Sequence, residues 1–174
     1  KNDTEIVLAA VRENGLALEF ASKPFLRDKN IVLTAVAQNG LAIGYTSKVL
    51  SQDKEVVLTA LKQNGRALEY APQFNNDKEV ILAAVSQYGL ALSAASDALR
   101  NDKEVVLAAL SAKESEQISK NLKDEREAIL TAGKPNKDLP YAAYRLALET
   151  MNKRRILNHI PSDLKEDKEI VLAA

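Results

Sequence analysis

Asp53 to Ala71 reads DKEVVLTALKQNGRALEYA. Val57, Leu58, Ala60 and Leu61 fall at the spacing of one buried helix face. Asn64-Gly65 ends that helix, with glycine suited to the left-handed position just past a helix C-terminus. A shorter second helix is predicted over Ala67, Leu68, Tyr70 and Ala71, and Pro72 punctuates the link to the next unit.

The same stretch recurs along the chain. Its leading aspartates are Asp3, Asp28, Asp53, Asp77 and Asp102, at spacings of 25, 25, 24 and 25, and Gly15, Gly40, Gly65 and Gly89 keep step. Asn2, Asn76 and Asn101 precede an aspartate and are expected to cap the first helix. Glu5, Glu79 and Glu104, three residues on, would complete a capping box. The second unit departs, with Asn30 in the glutamate position. Ala10, Ala35, Ala60, Ala84 and Ala109 occupy one helical position, which predicts close approach of neighbouring helices. One unit this small cannot bury its apolar face alone, whereas stacked units can. The expected fold is therefore all-α, an α-solenoid of two-helix repeats of about 25 residues with one irregular inserted helix. A compact helical bundle is the alternative.

Residues 1–112 hold repeats 1 to 5, the fifth as its first helix. Residues 113–166 read as a degenerate repeat, with a degraded first helix at Glu125–Ala132 and a break at Gly133-Lys134-Pro135. An inserted helix is predicted over 138–157, with Tyr141, Tyr144, Leu148 and Met151 on one face. About 17 residues are thereby added to the usual period. The frame returns at Leu157–Pro161, which falls where Leu68–Pro72 falls, and 167–174 is the truncated start of a further repeat. Lys1 opens partway into a unit and Ala174 stops partway through one, so the sequence reads as an excerpt of a longer protein.

Lys plus Arg and Asp plus Glu each number 24, so the formal net charge is zero, and residues 1–110 and 111–174 each lie within one charge of neutrality. Proteins that live on phosphate backbones usually carry a basic excess, so no nucleic-acid partner is expected. No cysteine is present, which removes thiolate chemistry and favours a reducing intracellular compartment. No apolar run approaches the roughly 18 residues of a membrane span.

The single histidine, His159, has Ser162 and Asp163 nearby in sequence. It also fills the slot of Phe20, Tyr45 and Tyr70, read here as an aromatic packing position. Asp53 and Glu55 have counterparts in successive units, whereas a catalytic carboxylate pair would be expected once. With one histidine and no phosphate-binding glycine loop, the expectation is no catalytic, cofactor-binding or metal-binding residue.

The unit DKEVVLTALKQNGRALEYA resembles a family of short tandem helical repeats catalogued as a domain of unknown function. Similar arrays occur in large proteins of intracellular bacterial pathogens and protists. The resemblance covers residues 2–110 well and implies no catalytic residues. The bacterial setting would imply an effector, acting in the host cytosol after secretion. At the position just after the glycine, members often carry an aromatic; here Leu16, Leu41, Arg66 and Leu90 stand there.

The expected function is a protein–protein interaction scaffold for an unidentified protein partner, since solenoids present long surfaces with variable positions. The alternatives are a non-catalytic regulatory or spacer segment of a larger enzyme, and repeat-type RNA binding. Candidate partner-binding residues are Arg12, Glu13, Gln38, Lys62, Gln63 and Gln87 near the ends of the first helices. Lys153, Arg154 and Arg155, the one basic run, join them.

Overall fold

The computed structural model describes residues 2–112, 153–162 and 164–173. The α-helices lying wholly in that part are α1 Asn2–Glu13, α2 Lys29–Gln38, α3 Lys54–Gln63, α4 Lys78–Gln87, the one-turn α5 Asp97–Arg100, α6 Lys103–Leu110 and α7 Lys168–Ala173. No strand occurs among the described residues. The degraded helix Glu125–Ala132 and the first 15 residues of the inserted helix 138–157 lie outside them, while 153–157 are helical.

Each long helix packs on the next: α1 on α2, α2 on α3, α3 on α4, α4 on α6 and α6 on α7. Among the described residues the main helix contacts run between neighbouring units, which is the packing of a solenoid rather than of a closed bundle. Four residues of each inner helix are buried; in α3 they are Val56, Val57, Ala60 and Leu61, all at 0% exposure. Burying one such aliphatic side chain contributes about 1.5–3 kcal/mol.

The second element of each unit is a six-residue 3-10 helix: Gly15–Phe20, Gly40–Tyr45, Gly65–Tyr70 and Gly89–Ala94. Asn14, Asn39 and Asn64 start the first three by accepting the backbone N–H two residues on. Glycine is therefore the first residue of the second helix, and none of the described glycines is left-handed. That corrects the expected C-terminal role. The physical reason is space. A Cβ on Gly15, Gly40, Gly65 or Gly89 would stand 2.3–2.4 Å from the carbonyl oxygen of Ala35, Ala60, Ala84 or Ala109 in the next unit. The alanine column does mark close approach, and its partner is the glycine column.

The helix caps also differ from expectation. Asp77 and Asp102, not Asn76 and Asn101, cap α4 and α6, and Asp53 caps α3, its carboxylate accepting the N–H groups of Glu55 and Val56. Asp28 and Asp102 likewise accept two N–H groups, and Asp77 accepts that of Val80. With Asp as cap, Glu55 stands one position too early for a capping box. It turns instead to the previous unit. Lys29 donates to Asp53 at 2.7 Å and lies 2.8 Å from Glu55. Lys54 holds Asp77 and Glu79 in the same way, and Lys78 holds Asp102 and Glu104. The first joint lacks this link, with Thr4 in the lysine position and Asn30 in the glutamate position.

The ladder continues from Lys103 to Asp167 and Glu169. Those partners stand 64 residues apart at Lys103–Asp167, against 24 at Lys29–Asp53. The Asp167 unit thus stacks directly on the Asp102 unit, and the 40 extra residues enter within one unit rather than between two. The missing second half is supplied by 153–160, where Ile156 lies against Gly89.

These contacts have a pH signature. Asp53, Asp77, Asp102 and Asp167 are held below the usual carboxyl range, first by the hydrogen bond from the lysine of the unit before and in part by their capping bonds, against burial. Lys29, Lys54 and Lys78 are raised by their aspartates and then their glutamates, and Lys103 by Glu169 and then Asp167. A depressed carboxyl stabilises fully above its unfolded value and loses this as pH falls through the folded value. A raised lysine stabilises fully below its unfolded value and loses this as pH rises through the folded one. The ladder therefore works between about pH 4 and pH 10. Asp53→Asn keeps an oxygen for the cap and removes the charge, whereas Asp53→Ala removes the cap as well. Urea unfolding at pH 7 is expected to show the alanine variant weaker by about 1 kcal/mol than the asparagine one. Below about pH 4 the wild-type should lose more stability than Asp53→Asn does. An unchanged acid limb in Asp53→Asn would mean the lysine contact contributes nothing.

Candidate functional site

The predicted partner-binding residues divide by what they touch. Gln38 Oε1 accepts the Gly15 N–H at 2.6 Å while its Nε2 donates to the Glu13 carbonyl. Gln63 Oε1 accepts the Gly40 N–H at 2.6 Å. The first N–H groups of a helix have no partner inside it, and here the following unit supplies one. Gln38 and Gln63 thus serve the joints between units. Gln87 and Lys153 are half-buried, and Arg12, Glu13, Lys62, Arg154 and Arg155 are exposed. The structure does not gather these residues into one site.

A different set does line up. Phe20, Tyr45 and Tyr70 each end a 3-10 helix, and they are 86%, 37% and 46% exposed. The slot read as a packing position is a surface position. In a 3-10 helix residues i and i+3 share a face, and the face turned inward carries Gly15 and Leu18, Gly40 and Ile43, or Gly65 and Leu68. The last residue stands where the helix stops, and its side chain goes outward.

The tyrosines reach back to the preceding unit. Tyr70 lies on Gly44, where a Cβ would come within 2.7 Å of its ring. The Tyr45 hydroxyl is raised above its ordinary value, chiefly by the neighbouring Glu19 carboxylate, then by burial, by hydrogen bonding to Glu19, and by Tyr70. Glu19 and Gly44 are equivalent positions, so each tyrosine covers the residue before the aromatic of the preceding unit. The signal in the sequence was the charged neighbour: Glu19 and Glu69 precede Phe20 and Tyr70, which marks that end of the helix as surface.

The row is interrupted in the fourth unit, where Ser93 and Ala94 stand in the places of Glu69 and Tyr70. A cavity of about 190 Å³ opens there. Its lining includes Arg66 and Glu69 on one side and Arg155 and His159 on the other. Among the described residues no three His, Cys, Asp or Glu side chains gather to hold a metal ion. None of the described helices is long and apolar enough to cross a membrane.

No curated protein and no solved structure shows a significant match to the chain. One sequence-family model matches residues 1–27, 28–75 and 77–123. Its divisions fall at the helix-capping Asp28 and Asp77, where the structure begins new units. Those segments cover well over half of the chain, which therefore belongs to the family described as Domain of unknown function (DUF4116).

Proposed function

We propose that this chain is a protein–protein interaction scaffold, and that it binds through the faces of its 3-10 helices. One observation carries the reading: Phe20, Tyr45 and Tyr70 stand exposed at the same position of three successive units. The rings lie outside the buried core on which the units stack, and each leaves a large part of its apolar surface in water. Aromatic residues are enriched at the centres of protein interfaces, where they supply large contact area with few rotatable bonds. A regular row on a repeat frame suits an extended partner segment that meets one ring per unit. The effector setting implied by the family resemblance agrees with a scaffold whose activity resides elsewhere in a longer protein.

The test is a triple substitution, Phe20→Ser, Tyr45→Ser and Tyr70→Ser, in the full-length parent. All three positions lie outside the buried core, so the variant should stay folded, with a modest fall in melting temperature from the lost contact of Tyr70 with Gly44. Proteins cross-linked to the parent in its own cellular setting should be lost from this variant and kept by Lys62→Ser. Equal recovery by both variants would sink the scaffold reading of this face and favour a regulatory spacer.

A further inference from the structure

We propose that the gap in the aromatic row, at Ser93-Ala94, binds a phosphate monoester carried on the partner segment, held between Arg66 and Arg155. This rests on the scaffold reading and names a chemical requirement of its partner. The gap has a clear origin. Substituting Ser93 and Ala94 for a charged residue and a large ring lowers the floor of the row by one side chain. The next wall comes from the segment after the insertion: Ile156 seats against Gly89, which brings Arg155 and His159 to the same cavity as Arg66. Residues far apart in sequence thus meet where the row is open.

The chemistry favours an oxyanion. Two guanidinium groups and an imidazole face one carboxylate, that of Glu69; the Ser93 hydroxyl is occupied in donating to the Leu90 carbonyl at 2.9 Å. Arg66 approaches Glu69 only through Nε, at 3.6 Å, beyond hydrogen-bonding distance. The two form a loose ion pair, in which Glu69 takes up none of the hydrogen-bond donors of Arg66. Planar guanidinium forks match the oxygens of a phosphate group bidentately. With Glu69 present, the two arginines leave a net charge of one, and a phosphate dianion uses both cations more fully than a carboxylate does. The cavity, about 190 Å³ and open to solvent, leaves room for a tetrahedral group to enter. The tyrosine row leads to this point, so a phosphorylated residue in a segment lying on the row would reach it.

The 174-residue chain, labelled with 15N, is titrated with phenyl phosphate, with inorganic phosphate and with phenylacetate, at fixed ionic strength. Phenyl phosphate is expected to shift the amides of Arg66, Ser93 and Ala94 saturably and to bind more tightly than the other two. Arg155→Gln should weaken it about fivefold, the scale of one charged contact at an exposed site, with the remaining spectrum unchanged. Arg66→Gln gives a second, independent reading. Shifts that do not saturate, or that neither arginine variant alters, overturn the proposal. Inorganic phosphate binding as tightly as the ester overturns the assignment to a phosphorylated partner. Because these probes contain no protein partner, the pocket fails if phosphate binding is absent while the triple serine variant still loses its cross-linked proteins. The scaffold reading fails separately, if that variant keeps its partners while phenyl phosphate binds.

Discussion

Gly65→Ala is expected to destabilise the array by about 3 kcal/mol, the upper end of the cost of overpacking. The added Cβ would stand 2.4 Å from the Ala84 carbonyl oxygen, 2.8 Å from Tyr88 Cβ and 2.9 Å from the Tyr88 backbone nitrogen. Two of those three neighbours are backbone atoms, so relief requires the third and fourth units to move apart. That motion also loosens the stacking of α3 on α4. Gly44→Ala is the control. Its Cβ meets only the ring of Tyr70, at 2.7 Å, and an exposed ring can swing aside. Urea unfolding should separate the two variants clearly. Because units couple only to their neighbours, amide exchange in Gly65→Ala should quicken first across α3 and α4. A Gly65→Ala protein as stable as Gly44→Ala would refute the close glycine–alanine contact between units.

Val56→Asp is expected to unfold at least the units around α3, while Ile6→Asp at the same position of the first unit is expected to be nearly neutral. Val56, Ile31, Val80, Val105 and Ile170 are all at 0% exposure, and Ile6 is 65% exposed. A carboxylate at Val56 would have to be buried without a partner or held protonated, and either costs several kcal/mol. At Ile6 the same carboxylate meets water. Circular dichroism at neutral pH, followed by thermal melting, checks the difference. Equal damage from both substitutions would show that helix position alone, rather than cover by the preceding unit, decides the burial.

Parts of this architecture are legible within a single unit. The aspartate and glycine columns gave the register, and the stripe Val57, Leu58, Ala60 and Leu61 gave a helix with one buried side. Other parts carry a local meaning that the packed array overrides. Asparagine and aspartate both cap helices, so Asn76-Asp77 and Asn101-Asp102 offer two adjacent candidates, and only the backbone geometry selects the aspartate. Asn64-Gly65 reads as a helix stop with a left-handed glycine because that is its commonest meaning. Here the glycine is needed for a carbonyl in the next unit, which nothing local announces. Gln38 and Gln63 read as variable surface, and nothing local marks Lys29 or Lys54, because their partners lie 23 to 25 residues away.

The helical class, the period, the extent of the first helices and the stacking of units are all written in the order of the residues, because apolar spacing and capping chemistry act within one or two turns. Which residues join the units was settled only in the packed array. So was the outward row of Phe20, Tyr45 and Tyr70, and the reach of Lys103 across 40 extra residues to Asp167. Those outcomes depend on the rotation and shift between successive units. That displacement is set where two surfaces meet, at the glycine–alanine contact and the lysine ladder, and no single unit's sequence contains it.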